Sequence, residues 1–221
     1  MLVPVTHSIF IAIGATLVAF LLMLPLAYIG AYWQFKGKWL LESVLLLPLV
    51  LPPTVIGLVL LQSFGKYGFL GKLTALFGDY SIIFTLTGAV VATICVVLPL
   101  MYQGLKAAFL SVPIELIQVG RTLSANSIEL LFRVIIPNCW QHIFASILLS
   151  FCRGLGEFGA SLMVAGYIEG KTDTIATSIY FAIQQNEVDK AVMLSVTDAF
   201  IGFAALIIIY LLTNKRSRWS K

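Results

Sequence analysis

Charge is what this sequence has least of. Only 11% of its 221 residues are Asp, Glu, Lys or Arg, while 60% are apolar; an ordinary soluble domain carries about 25% charged residues. A chain so poor in charge cannot cover a water-facing surface, which excludes a soluble globular fold and leaves an integral membrane protein. Histidine is nearly absent too. With only His7 and His142, and no H-E-x-x-H pair, an intramembrane metallohydrolase has no ligand set to draw on. The three cysteines, Cys95, Cys139 and Cys152, fall in or beside apolar runs without metal-ligand spacing, so they read as buried packing residues with unreactive thiols. A Walker P-loop is also missing: Gly65, Gly68 and Gly71-Lys72 have the composition, but Leu73 follows the lysine and the spacing is wrong. No catalytic or metal-binding residue is therefore assigned, and any nucleotide-driven work must be powered by another polypeptide.

The charge-free stretches locate the membrane spans. An ionised side chain at the bilayer centre costs about 2.5–3.5 kcal/mol on insertion scales, and about 20 apolar residues cross the hydrocarbon. Met1 to Phe35, Ser43 to Gly65, Ser81 to Leu105 and Val134 to Cys152 carry no formal charge, and Ala191 to Asn214 carries only Asp198. The expected fold class is an all-α polytopic membrane protein of five helices, organised as one domain over 1–221. A sixth span is conceivable between Phe158 and Gln185, but Glu169, Lys171 and Asp173 cut it into pieces too short to cross. That region reads as re-entrant or interfacial. The first run lacks the basic start and small-residue cleavage site of a secretory signal and is expected to stay as a span.

Lys and Arg set the orientation, because cytoplasmic loops collect them. With the N-terminus outside, the inner loops hold Lys36, Lys38, Lys106, Arg121, Arg133, Lys215, Arg216, Arg218 and Lys221. The outer loops hold Lys66, Lys72, Arg153, Lys171 and Lys190, outweighed by Asp79, Glu157, Glu169, Asp173, Glu187 and Asp189. N-terminus out, C-terminus in is the expected topology. It accounts for the net charge of +4 without a nucleic-acid surface. Trp33, Trp39, Trp140 and Trp219 then fall at inner boundaries as interfacial anchors.

Two segments break the apolar pattern. In the second run, Pro48, Pro52 and Pro53 lie within six residues, and proline both lacks an amide hydrogen and crowds the preceding turn. The spacing predicts a helix break at Pro52, Pro53 and Thr54 that must line a pathway or be covered by protein. The loop from 106 to 137 is the one sizeable polar stretch. Pro113 and Glu115 suit the start of a helix through Gly120, and Asn126 with Glu129 reads as a capping box opening a second one. Helix, turn, helix results, with the turn at Leu123-Ser124-Ala125-Asn126 projecting towards a cytoplasmic partner. Near the fourth run's end, Gly154-Leu155-Gly156-Glu157-Phe158-Gly159 matches G-x-G-x-x-G, yet no strand precedes it and a dinucleotide site is not expected. Its small residues permit close backbone approach. Arg153 and Glu157, four apart, could pair and lower their cost at membrane depth; alternatively, Arg153 lies on an anion's route.

The loop resembles the coupling loop of ABC importer permeases, whose pattern is E-A-A, three residues, G, nine residues, I-x-L-P. Gln118-Val119-Gly120 stands in the E-A-A place, Ser124 in the glycine's, and Val134-Ile135-Ile136-Pro137 in the closing place. The stretches Leu47 to Gly57, Arg153 to Gly166 and Lys171 to Tyr180 look like the membrane subunit of molybdate importers, and the likeness covers about residues 8 to 212. The resemblance implies a type I ABC importer permease fold and a molybdate permease that works by alternating access in a bacterial plasma or inner membrane. Its implied partners are a second copy of the chain, two cytoplasmic ABC ATPase subunits and an extracytoplasmic molybdate-binding protein. ATP and Mg would be used by the ATPase, with no cofactor held by this chain. The ATPase-coupling residues would be Gln118, Val119, Gly120, Arg121, Thr122, Leu123, Ser124, Ala125 and Asn126. The pathway or gate would involve Pro52, Pro53, Thr54, Arg153, Gly154, Gly156, Glu157, Phe158 and Gly159.

Sulfate or tungstate permeases are alternatives, as is a self-contained ion-coupled transporter. The last predicts inverted repeats and paired intramembrane carboxylates, neither of which is clear here. Asp198 stands alone in the last run; an anion route should avoid it, so a hydroxyl or backbone donor is its expected partner. His142 is expected to make an interfacial hydrogen bond.

Overall fold

The computed structural model describes residues 2–75 and 81–214. The first helix, α1 (Leu2–Tyr32), is followed by α2 (Lys38–Val50), α3 (Pro53–Phe64) and α4 (Phe69–Ala75). Next come α5 (Leu86–Leu110), α6 (Ile114–Thr122) and the single turn α7 (Ser127–Glu129). A wide π-helical turn, Leu130–Ile135, leads into α8 (Ile136–Leu155), then α9 (Gly159–Ala165), α10 (Ile175–Gln184) and α11 (Val188–Asn214). Five helices among the described residues are long and apolar enough to cross a membrane: Leu2–Tyr32, Pro53–Lys72, Leu86–Leu110, Ser127–Leu155 and Val188–Thr213.

Helix α5 is the hub, with α1 on one side and α8 on another. Its Val97, Met101, Tyr102, Leu105 and Phe109 are buried against Ala15, Ala19 and Ala27 of α1. Apolar lipid gives no hydrophobic drive between helices, so close backbone approach through small residues supplies the dispersion contact instead. Gly30 shows how close: a Cβ there would lie 2.2 Å from Tyr102 Oη. At Gly104 a Cβ would lie 2.4 Å from Ser146 Oγ of α8. The open C-terminal end of α5 is satisfied from α1, where Tyr32 Oη donates to the Phe109 carbonyl at 2.6 Å.

The second span departs from the charge-free run that marks it. Crossing length runs from Pro53 to Lys72, ten residues later than Ser43, and α2 is a separate helix with no buried residue. The cause is the proline pair. A residue before proline is pushed out of the helical region, and Leu51 (φ −75°, ψ 139°) and Pro52 (φ −54°, ψ 137°) are both extended. Pro53 then opens α3 from the first-turn position, where its missing amide hydrogen costs nothing. Pro48 stays inside α2, so two of the three prolines make the break. Lys66 and Lys72 are carried at the far end of the span, where long cationic side chains reach the interface.

Residues 158–185 add no sixth span. Helices α9 and α10 have 7 and 10 residues, and even the longer reaches only about 15 Å of a hydrocarbon core about 30 Å thick. The anchoring tryptophans Trp33, Trp39 and Trp140 are all exposed. Asp79, Lys215, Arg216, Arg218, Trp219 and Lys221 lie outside the described residues.

Candidate functional site

The polar loop after α5 folds as two capped helical segments. Pro113 is the N-cap of α6, Glu115 lies in its first turn and Arg121 in its last, each charge complementing the adjacent end of the helix dipole. The α6 C-terminus closes with two bonds: Ser124 N–H donates to the Arg121 carbonyl at 2.9 Å and Ala125 N–H to the Gly120 carbonyl at 3.1 Å. This pair is the Schellman arrangement, which requires a left-handed residue between helix and exit. Ser124 supplies it at φ 60°, which explains physically why a glycine suits that place in the pattern. Asn126 Oδ1 then accepts from Glu129 N–H at 2.9 Å, while Glu129 Oε2 accepts from Asn126 N–H at 3.0 Å, completing the expected capping box.

The turn stays close to its scaffold because Gly120 is buried: a Cβ there would lie 2.5 Å from Leu130 Cδ2. Gln118, Val119, Arg121, Thr122, Leu123, Ser124 and Asn126 are exposed, and Ala125 is half-buried. With Ile128 70% and Leu123 77% exposed, the tip carries more apolar surface than a solvated loop needs, a pattern that marks docking surfaces. Beyond it the chain winds wide. Ile136 N–H reaches back five residues to the Leu131 carbonyl, because Pro137 offers no amide hydrogen and crowds the carbonyl of Arg133. The strain is discharged at Cys139, which leaves the helical region (φ −124°, ψ 15°). From Ser127 to Leu155 this column of 29 residues runs through the π turn and a kink at Cys139, with the exposed turn at its start and the Gly154 to Gly159 segment at its end.

That end meets the proline break. Helix α9 begins at Gly159, where a Cβ would lie 3.2 Å from Pro53 Cβ and 3.4 Å from the Thr54 nitrogen. One turn further, a Cβ on Gly57 of α3 would lie 2.6 Å from Met163 Cβ and 3.1 Å from the Ala160 backbone. The structure therefore brings Pro53, Thr54 and Gly159 together, with Pro52 as the N-cap of α3 beside them. The Gly154 to Gly159 segment does not act as a unit. Gly154 faces Thr93 and Val97 of α5 and packs α8 against the hub, whereas a Cβ on Gly156 would meet only the Cys152 carbonyl oxygen at 3.9 Å. The Phe158 ring lies against Tyr180 of α10, centroids 5.3 Å apart.

Arg153 and Glu157 pair at 2.8 Å. Glu157 is 3% exposed, and its other carboxylate oxygen accepts the Ala160 amide hydrogen at 2.8 Å. One buried carboxylate thus joins the last turn of α8 to the first turn of α9, and a buried charge is stable only when paired and hydrogen-bonded in this way. The Arg153 side chain remains 37% exposed, with its charge compensated. Asp198 has not found the donor expected for it: its Oδ1 is buried with no hydrogen-bond partner among the described residues.

Two further clusters escape notice in the sequence. Glu42 of α2 accepts hydrogen bonds from Lys106 Nζ and, at 3.0 Å, from Tyr102 Oη, both on α5. The Lys106 hydrogen bond holds the Glu42 carboxyl below the usual carboxylate range, with smaller help from Tyr102 against some desolvation. His7 of α1 contacts Asp173 across 166 positions. A lone acid between apolar runs, and a histidine inside one, were the available signals; neither says where its partner lies.

A bundle with five span-length helices among the described residues, one of which ties an exposed turn to a broken-helix contact, has the plan of a transport permease. The chain belongs to the family described as binding-protein-dependent transport system inner membrane component, which matches residues 23–218. Molybdenum transport system permease protein ModB of Escherichia coli K12 is 36% identical over 185 residues, covering 82% of this chain and 81% of that protein. ModB of Azotobacter vinelandii is 34% identical over 186 residues, covering 84% and 82%. Among solved structures, a bacterial ABC transporter that imports the acidic polysaccharide alginate superposes with a TM-score of 0.73 at 15% identity, covering 100% of this chain and 80% of that one. The MetNI methionine ABC transporter in inward-facing form gives 0.67 at 15% identity, covering 95% and 96%. The fold is that of ABC importer permeases.

Proposed function

We propose that the chain is the membrane subunit of an ATP-driven importer of molybdate. Two copies form the pathway, two cytoplasmic ATPase subunits bind ATP and Mg, and an extracytoplasmic binding protein delivers the oxyanion. The chain itself holds no cofactor. The N-terminus lies outside and the C-terminus in the cytoplasm, which puts the 106–137 loop on the ATPase side.

The observation that carries the reading is the column from Ser127 to Leu155. Closure of the ATPases on ATP displaces the turn around Ser124, and the column passes that displacement to the contact of α3 with α9. The break at Pro52 and Pro53 and the glycines on both faces let this contact close tightly and part again, so the pathway opens alternately to each side. Arg153 suits an oxyanion route only because Glu157 offsets its charge; an unopposed cation would hold the anion instead of releasing it. The molybdenum permeases named above, each matched over more than four-fifths of both chains, support the choice of substrate.

Uptake into proteoliposomes tests this. Molybdate should accumulate only when the chain is reconstituted with its ATPase, binding protein and ATP. Uptake by the chain alone would replace the proposal with a self-contained transporter. Competition by sulfate, with none by molybdate or tungstate, would move the substrate to sulfate.

A further inference from the structure

After α9 the chain returns through residues 166–174 to α10, and the segment is fastened on either side of this return. Before it, in the last turn of α9, the Val164 carbonyl accepts from Phe84 N–H at 3.0 Å. On the other side the segment is held by the first turns of α1. His7 Nδ1 lies 3.0 Å from the Asp173 carbonyl oxygen and 3.0 Å from Asp173 Oδ1. A carbonyl oxygen can only accept, so the hydrogen bond to it requires the hydrogen on Nδ1, in the neutral or the charged ring alike. The neighbouring Ser8 Oγ accepts the Ile175 amide hydrogen at 2.8 Å.

Ile175 opens α10, and its N–H is one of the donors that a helix start leaves without an intrahelical partner. Thr174 satisfies the Thr177 amide through its own capping box, while the Ile175 donor is met from another helix 167 positions away. Ser8 and Asp173 are 2% and 3% exposed and the Ser8 bond is buried, whereas the His7 side chain is 18% exposed. Apolar packing of Ile11, Ala89 and Ala165 lies next to this junction, and beside it a cavity of about 150 Å³ is lined by Val3, Pro4, Tyr167, Glu169 and Asp173.

We propose that His7 and Ser8 are positioning residues for transport: they fasten the α9–α10 return to α1, and so keep the face of α9 on the α3 break. The proposal rests on the reading of that contact as a moving gate. They add a polar tie between α1 and the start of α10 to the direct packing of α9 on Ala92 and Val96 of α5.

Asparagine and glutamine separate this from a merely bulky role, because an Asn amide places its N–H where Nδ1 stands and a Gln amide places it where Nε2 stands. Hydrogen exchange of the 166–178 amides is read in the full-length protein in lipid nanodiscs. Molybdate uptake per ATP is read in proteoliposomes with the ATPase and binding protein. His7→Leu and Ser8→Ala should each speed exchange at Ile175 about tenfold, the loss of one net hydrogen bond, and lower uptake per ATP. His7→Asn should restore both readouts and His7→Gln neither. Wild-type exchange in His7→Leu, or equal rescue by Gln and Asn, overturns the fastening. Faster exchange with unchanged uptake per ATP overturns the positioning role. A wild-type complex that moves no molybdate would defeat the function proposed above, while the exchange readings would still decide whether the fastening exists.

Discussion

Adding one methyl group at Gly57 should do more damage than adding one at Gly156, although the resemblance names Gly156, and not Gly57, as a gate residue. A Cβ at position 57 would lie 2.6 Å from Met163 Cβ and 3.1 Å from both Cα and O of Ala160. None of these atoms is the far end of a flexible side chain, so α3 and α9 must separate by about 1 Å to regain ordinary carbon spacing. Overpacking of this kind costs about 1–3 kcal/mol, which is roughly a 5- to 150-fold shift against the closed contact. At Gly156 the same methyl group would meet only the Cys152 carbonyl at 3.9 Å, an ordinary contact. In proteoliposomes with ATPase and binding protein, Gly57→Ala should therefore lower molybdate moved per ATP severalfold, whereas Gly156→Ala should match the wild type. Gly159→Ala, with contacts of 3.2 and 3.4 Å, should fall between them. Equal coupling ratios for Gly57→Ala and Gly156→Ala would refute the gate assignment.

Two further outcomes follow from the geometry. Ser124→Gly should raise the thermal midpoint, because a side chain at φ 60° costs about 1–2 kcal/mol that glycine avoids, less about 0.5–1 kcal/mol for its extra unfolded freedom; Ser124→Val should lower it, and equal midpoints for the two would refute the strain. Glu42 is held below its ordinary range by Lys106, so its contribution is complete above the unfolded value of about 4.3 and is lost as pH falls through the lower folded value. Thermal melts across that acid window should show a destabilisation that Glu42→Gln makes smaller, and identical pH slopes would count against the pair.

Short-range features were legible in the sequence because their causes lie within a few residues. Asn126 and Glu129 form the box their spacing announced, and Pro52 with Pro53 breaks the helix where successive pre-proline positions require it. Span edges were less legible. Counting charge-free residues started the second span at Ser43, but a helix end tolerates Lys66 and Lys72, and α2 is long enough to stand as a separate helix. The resemblance named Pro53 and Gly159 as parts of one gate; that a Cβ on Gly159 would meet Pro53 is visible only in the fold. Nothing local could reveal that His7 meets Asp173 or that Glu42 meets Lys106, since a hydrogen bond between distant residues depends on packing that periodicity does not encode. Asp198 was assigned a donor on the general cost of buried charge, and Oδ1 has none among the described residues.

The wide turn from Leu130 to Ile135 has a consequence for inheritance. A π turn holds one residue more than an α turn in nearly the same axial length, so each side chain after it points about 100° away from its place on a plainly wound helix. Losing a single residue there would let the turn rewind as plain α-helix and leave Gly154 facing Thr93 and Val97, whereas losing one from the α-helical part of the column would swing Gly154 away from them.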